Sequence, residues 1–224
     1  MLTLHHLEYS QSFRILWLLE ELGAAYELKL YERDKRTMLA PADYKRLSPL
    51  GSAPVITDGE LVLAESSAII EHILDQHTDS PLRPAPGAPN RTRHLFWFHA
   101  AQGSLMPLML ITAAFAIMRK RAPFFVSPVL APALKRAEQG FVTPRMDALL
   151  AQAERDLADA PWFGGDDLTA ADIVLSYPME SAQARGFITA SHPNCAAWLE
   201  RMRARPSFQT AMAKDGRDSM VLRI

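Results

Sequence analysis

The stretch "GSAPVITDGELVLAESSAII", Gly51 to Ile70, holds two strand signals, a turn and a helix start in immediate succession. "PVIT" and "LVLA" are short apolar runs, and Asp58-Gly59-Glu60 between them carries the Asp-Gly pair of a tight hairpin. Pro54 stands just before the first strand, after a glycine-containing loop. A proline there is either an ordinary turn residue or a cis residue. A cis bond would turn the backbone of Ala53 outward and leave its N–H and C=O to pair with an extended peptide as an added strand. Glu65 and Ser66 close the second strand and open the helix. Either a side chain here caps that helix, or its free N–H groups and dipole take a carboxylate, with Ser66 adding a hydroxyl. Glu65 would then face an ammonium, and a carboxylate beside an ammonium is an amino-acid head group.

Upstream, Leu2 to His6 reads as a strand and Ser12 to Leu22 as a helix stopped by Gly23. Tyr26 to Tyr31 alternates as a second strand. Pro41 to Leu47 is a short helix with proline in its first turn, and the helix opened by Glu65 runs to His77. The order is βαβαββα. Downstream, "TDSPLRPAPGAPNR" (78–91) holds four prolines and predicts a stiff, exposed linker. Beyond it only helix signals stand out. Arg91 to Arg121 is long and expected to bend at Pro107, and Ala131 to Leu157 starts in earnest after Pro144. "TAADIVLSYPMESAQARG", "NCAAWLERMRA" and Pro206 to Lys214 complete the set. The expected architecture is an α/β domain at 1–78, a linker at 79–90 and an all-helical, all-α domain at 91–224. Thr169 and Asp172 have the S/T-x-x-D spacing of a capping box, with Leu168 and Ile173 as its hydrophobic staple.

The chain has 224 residues, 49% of them hydrophobic, which allows a sizeable core in one or two domains. A net charge of -1 leaves no electrostatic footprint for nucleic acid. Cys195 is the single cysteine, so no intrachain disulfide forms; it reads as a core residue, with a redox-sensitive thiol as the alternative. The run "LMPLMLITAAFAIM" (105–118) is shorter than the roughly 20 residues a bilayer-spanning helix needs, and Pro107 interrupts it. It reads as a buried helix, and no membrane association is expected. Met106 to Met118, with Phe124 and Phe125, reads mostly as core whose inner edge can wall an apolar pocket. The seven histidines show no metal-ligating spacing, and no metal is expected.

"HHLEYSQSFRILWLLEELG" (5–23) sets Tyr9, Ser10, Gln11 and Ser12 between the first strand and the first helix. A helix N-terminus stabilises a thiolate. Redox proteins place a cysteine in such a turn; here there is none. If thiol chemistry happens, the sulfur comes from the ligand, and a serine hydroxyl can donate to it. Ser12 reads as the helix cap.

Taken together, these motifs resemble the soluble glutathione transferase superfamily over nearly the whole chain. The wording is most similar to a serine-type bacterial and fungal branch with S-x-x-x-R before the first helix, here Ser10 to Arg14. The resemblance implies a thioredoxin-like first domain that binds glutathione as co-substrate. The helical domain would contribute the pocket for a small hydrophobic electrophile. It also implies a homodimer and a cytoplasmic location. Ser10 would be the thiolate-stabilising hydroxyl, with Tyr9 and Gln11 as alternatives; the tyrosine of tyrosine-type members would lie earlier, near His5 and His6. Glutathione would meet Ser52, Ala53, cis Pro54, Glu65 and Ser66. Many relatives carry Lys, Arg or Gln where Ser52 stands. Many place an acidic residue near Gln102 that reaches the other subunit's γ-glutamyl ammonium, a contact an amide would weaken. Lys35, Arg36 and Lys45 are candidates for the glycyl carboxylate. Two further readings share this fold: a glutathione-dependent peroxidase or disulfide reductase, and a non-catalytic member that binds glutathione or a protein.

Overall fold

The computed structural model of the chain describes residues 1–221; the last three residues of the expected helical domain lie outside the described residues. The first domain contains β1 (Thr3–Leu7), α1 (Phe13–Leu22), β2 (Glu27–Tyr31), α2 (Ala42–Lys45), β3 (Val55–Asp58), β4 (Leu61–Ala64) and α3 (Ser66–Asp75). The strands lie in the order β2-β1-β3-β4. β1 pairs in parallel with β2, from Thr3 opposite Glu27 to Leu7 opposite Tyr31, and antiparallel with β3. The crossover from β1 to β2 is α1, as a parallel pair requires. This is the thioredoxin-like arrangement that the βαβαββα order predicts.

α1 explains how the two domains hold together. Every residue from Phe13 to Leu19 is buried. A helix that is apolar all round must be covered on all sides. The sheet takes one side and the helical domain the other. Phe208 stands edge-on to both Phe13 and Trp17, with ring centroids 5.2 and 5.3 Å away. Burying each large apolar side chain contributes about 1.5–3 kcal/mol, so Leu16→Ala would cost roughly 2–5 kcal/mol. Gly23 ends the helix in the left-handed conformation, at φ 60°.

The proline-rich segment is less exposed than its composition predicts. Leu82 and Pro84 are buried. The Leu82 carbonyl accepts from the Ala170 N–H at 2.8 Å, and Arg83 pairs with Glu71 at 2.7 Å and Asp75 at 2.6 Å. The prolines stiffen the segment, and Leu82 plugs it against the helical domain.

That domain comprises α4 (Arg91–Ala100), α5 (Met106–Arg121), α6 (Ser127–Ala137), α7 (Thr143–Asp159), α8 (Ala170–Ala184), α9 (Pro193–Arg203) and α10 (Pro206–Asp215). α4 runs into α5, and α6 into α7, through five-residue π-helical turns at Ala101–Leu105 and Glu138–Val142. The second long helix therefore begins at Ser127, ahead of the expected start. Both turns share one local sequence, Gln-Gly-x-x-x-Pro, at 102–107 and 139–144. Proline cannot donate to the carbonyl four residues back, and its ring crowds that carbonyl. A wider turn relieves the crowding, and glycine occupies the crowded position.

One sequence expectation about the first long helix, that its apolar run is buried, needs correction. Arg91 to Arg121 is one continuous helical stretch of 31 residues, long and apolar enough by length and composition to cross a membrane. Only part of it is core. In α5 only Leu108, Met109 and Thr112 are buried. Leu110, Phe125 and Val129 are exposed, and Phe124 is 88% exposed. The run is apolar around most of its circumference, but within one copy of the chain α5 meets its neighbours along a narrow stripe. Its remaining apolar face has no cover among the described residues.

The capping box forms as its spacing predicts. Thr169 Oγ1 accepts from the Ala171 N–H at 3.3 Å, and Asp172 Oδ2 accepts from the Thr169 N–H at 3.0 Å. Asp172 Oδ1 also accepts from the Phe163 N–H at 2.7 Å and from Trp198 Nε1 at 2.9 Å. Cys195 is fully buried, and burial pushes its thiol well above the usual range. It is a core residue, not a reactive thiol.

Candidate active site

β1 ends at Leu7 and the chain turns sharply before α1. Tyr9 makes that turn possible in the left-handed conformation, at φ 49°. Its carbonyl is clamped from both domains, by Tyr177 Oη at 3.4 Å and Arg33 Nη2 at 3.3 Å. The clamp delivers Ser10 and Gln11 to the wall of a cleft cavity of about 310 Å³. The Tyr9 ring is not part of that wall.

Ser10 is buried except for its face toward the cleft. Its hydroxyl donates to the Leu7 carbonyl at 2.7 Å and lies 2.7 Å from Ser12 Oγ. Gln11 is held from across the cleft: Gln102 Nε2, in the first π-turn, donates to Gln11 Oε1 at 3.2 Å. Gln102 therefore reaches the corner residues of its own chain. π-turns place a side chain where a regular helix would not.

Ser12 does not cap α1. It occupies the N-cap position, but its backbone is already helical and its side chain makes no cap bond. A capping side chain needs an extended backbone to reach back to the first free N–H groups. Instead the Ser12 hydroxyl turns under β1, accepts from the Leu7 N–H at 3.1 Å and lies 2.9 Å from His6 Nδ1.

The opposite wall comes from the loop before β3. The Ala53–Pro54 bond is cis. Ser52 and Ala53 line the cavity, together with Lys45 at the end of α2. Lys35 and Arg36 do not. Arg33 and Tyr177 line it as well, and neither was singled out from the sequence. The Arg33 guanidinium is committed to the carbonyls of Glu8 and Met38, both at 3.0 Å, besides that of Tyr9. Lone arginines and tyrosines in loops and helices carry no local signal for such a role. Arg14, the second residue of α1, is fully buried with its guanidinium 5.5 Å from the Tyr177 ring centroid, and burial pulls its pKa down to about 9.

Val55 pairs with Ala64, so continuing the antiparallel register one step sets Glu65 beside Pro54. Glu65 adopts φ 75°, a conformation L-residues rarely hold, just before α3. Neither Glu65 nor Ser66 makes a side-chain cap bond. The Ser66 hydroxyl is buried and without a partner among the described residues. A buried polar group without a partner costs about 1–3 kcal/mol; a ligand carboxylate at the α3 N-terminus would relieve that cost. Among the described residues, no cluster of three or more His, Cys, Asp or Glu could hold a metal ion.

Comparison with known proteins places this arrangement in context. Residues 1–75 match the family described as the glutathione S-transferase N-terminal domain, and residues 111–201 match the glutathione S-transferase C-terminal domain. The chain is 30% identical to glutathione S-transferase 3 of Schizosaccharomyces pombe, over 96% of this chain and 88% of that protein. It is 25% identical to glutathione S-transferase 1 of Saccharomyces cerevisiae, over 96% and 95%. A solved glutathione S-transferase from Actinobacillus pleuropneumoniae superposes with a TM-score of 0.79 at 31% identity, covering 96% of this chain and 93% of that one. A sphingomonad glutathione S-transferase complexed with glutathione shares the fold, with a TM-score of 0.72 at 23% identity over 96% and 98%.

Proposed function

The chain belongs to the glutathione S-transferase family and is a transferase, and from that premise we propose that it ionises glutathione beside Ser10 for attack on a small hydrophobic electrophile. The observation that carries this reading is the composition of the cleft wall: Ser10 and Gln11 on one side, Ala53 and Lys45 on the other. A tripeptide lying between them pairs its backbone with Ala53 as an added strand. Its γ-glutamyl carboxylate meets Ser66 and the N-terminus of α3, and Glu65 faces the ammonium. Its glycyl carboxylate meets Lys45, the one of the three candidate cations on the wall. Ser52 lines the same wall and supplies a hydroxyl where relatives carry longer polar groups.

The sulfur then lies at the start of α1. A Ser10 hydroxyl that rotates from the Leu7 carbonyl to the sulfur, together with the helix dipole, favours the thiolate. Lowering a thiol pKa from about 8.5 to about 6.5 raises its ionised fraction at pH 7 more than tenfold. Gln11, steadied by Gln102, is the second polar group within this corner. Tyr177 offers an aromatic wall for the electrophile.

The exposed apolar side chains of α5 and α6 support a homodimer in which a second copy covers them. A lone buried cysteine fits a reducing, cytoplasmic setting.

The test is retention on immobilised glutathione, followed by parallel assays with an aryl halide, an organic peroxide and a small disulfide. Turnover confined to the halide supports the transferase reading. Turnover confined to the peroxide or disulfide favours reductase chemistry instead. Ser10→Ala should raise the bound thiol's pKa and slow turnover; if neither moves, Gln11 or Tyr9 replaces it. Sedimentation analysis tests the dimer.

A further inference from the structure

Three guanidinium groups gather around Tyr177 in α8, and none of them meets a carboxylate. Arg14 lies 5.5 Å from the Tyr177 ring centroid, and its Nε, Nη1 and Nη2 have no hydrogen-bond partner among the described residues. Arg33 Nη2 and Tyr177 Oη donate to the same Tyr9 carbonyl, at 3.3 and 3.4 Å. Arg185 sits half-buried at the C-terminal end of α8, and its Nη1 donates to the Met109 carbonyl of α5 at 2.6 Å. Arg83, Arg119, Arg203, Arg205 and Arg217 each pair with an acid. Arg14, Arg33 and Arg185 form no ion pair among the described residues. Burial raises the Tyr177 phenol above its usual range, and the three arginines pull against that rise.

Arg185 bridges the two helical walls beyond Tyr177. On the long helix, Gln102 touches Gln11 at the cleft wall, and Met109 lies about two turns further on. On α8, Tyr177 lines the cavity, and Arg185 follows it by about 12 Å along the axis. Helical side chains lean toward the N-terminus of their helix, so the Arg185 stem reaches back toward Tyr177. Only its Nη1 has a partner among the described residues. The Nε–Nη2 edge left over is the fork that takes a carboxylate through two parallel hydrogen bonds.

We propose that Arg185, with Tyr177, forms an anion subsite in the electrophile pocket, so that the preferred electrophile is an aromatic compound carrying a carboxylate away from its reacting carbon; this rests on the transferase reading given above.

Charge and shape both support the subsite. Cations without counter-ions in a cleft raise the local potential and draw an anion in. Glutathione answers the cations on its own side, with its thiolate at the start of α1 and its carboxylates at Ser66 and Lys45. Arg185 comes from the other wall and is left without a counter-charge. Burial pulls its guanidinium down, with Tyr177 opposing; arginine still keeps its charge at neutral pH, so it offers a charge-assisted bond in partly dry surroundings. An aryl ring stacks on the Tyr177 ring, and a carboxylate para to the reacting carbon then points along α8 to the Arg185 fork. The subsite acts on which electrophile is held, not on the ionisation of the thiol.

The test titrates the full chain calorimetrically with S-(para-carboxybenzyl)glutathione and S-(para-carbamoylbenzyl)glutathione. The two share shape and peptide and differ in one charge. The parent protein should bind the carboxyl conjugate about tenfold more tightly. Arg185→Gln should bring that ratio to within about twofold. In steady-state assays with the corresponding benzyl bromides, the carboxyl compound should have the lower KM in the parent and lose that advantage in Arg185→Gln, while the ratio of the two kcat values stays in place. A binding ratio near one in the parent overturns the subsite. A tenfold ratio that survives Arg185→Gln puts the carboxylate on another cation and overturns the assignment. If both conjugates and S-methylglutathione fail to bind the parent, the glutathione reading itself falls and takes the subsite with it. Should Arg185→Gln not fold, Arg185→Met, which keeps the packing of the aliphatic stem, decides in its place.

Discussion

Gln102 of the helical domain donates to Gln11 of the first domain across 3.2 Å, the most direct bond between the π-turn and the corner that bears Ser10. Its removal frees the Gln11 side chain at the cleft wall. Gln102→Ala should reduce stability by about 0.5–1.5 kcal/mol and lower kcat/KM for glutathione roughly three- to tenfold, about 0.7–1.4 kcal/mol of transition-state stabilisation. Gln102→Glu cannot donate, but Gln11 can flip its amide and donate instead, so its loss should be smaller. Denaturant unfolding and steady-state kinetics check both; an inert Gln102→Ala would mean the bond is not made in solution.

Ser66 offers the opposite pattern. Its hydroxyl is buried without a partner among the described residues, so Ser66→Ala should leave stability unchanged or slightly improved. Affinity for glutathione should fall about tenfold or more, because a hydrogen bond to a charged carboxylate contributes about 1.5–3 kcal/mol. Calorimetric titration beside thermal unfolding separates the two effects. Unchanged affinity would place the γ-glutamyl carboxylate elsewhere.

Asp172 should be among the most sensitive positions for folding. Burial pushes its carboxyl above the usual range, while bonds from the Thr169, Phe163 and Gly164 N–H groups and Trp198 oppose that shift. Asp172→Asn turns an amide N–H₂ toward these donors and should cost about 2–4 kcal/mol. Gly164→Ala attacks the same junction sterically, since an added Cβ would lie 2.2 Å from Thr169 Cγ2. Both should lower the unfolding midpoint without changing glutathione affinity in the folded fraction. A midpoint shift below a degree in both would overturn this account.

His94 sets an acid limit. It is buried and stacked on Phe98, and burial, with Arg91 next in effect, pulls it down to about 4. The unfolded chain therefore binds a proton at this residue between about pH 6.5 and 4 that the folded chain refuses. Stability falls as pH drops through that window, by up to about 3 kcal/mol from this residue alone. His94→Leu removes the titration. The stability difference between the variant and the parent, measured by denaturant unfolding at pH 7 and pH 4, should move by that amount in favour of the variant; a constant difference would refute the assignment.

Much of this protein was readable from its residues because the deciding signals are local. The hairpin turns at Asp58-Gly59. The Thr169–Asp172 box closes within one helical turn. Gly23 stops α1 because few other residues enter the left-handed region cheaply. Ser10, Ala53 and Ser66 fall at element boundaries that periodicity and turn chemistry locate, and together with the Thr169–Asp172 box they carry the resemblance to the family. Ser12 shows the limit of such reasoning: a serine before a helix reads as a cap, but the strand above it recruited the hydroxyl. The paired Gln-Gly-x-x-x-Pro segments contain the signal for the π-turns, yet proline alone does not say whether a helix will break, bend or widen.

What the sequence determined by itself was the order of elements, the two-domain division and the polar corner between β1 and α1, since each follows from contacts between residues a few positions apart. Only the tertiary structure decided which of the candidate cations lines the cleft, which face of α5 is left open, and that His6 meets Asp215 across 209 positions. Those outcomes depend on how whole elements pack. Packing brings together residues whose separation along the chain contains no information about their separation in space.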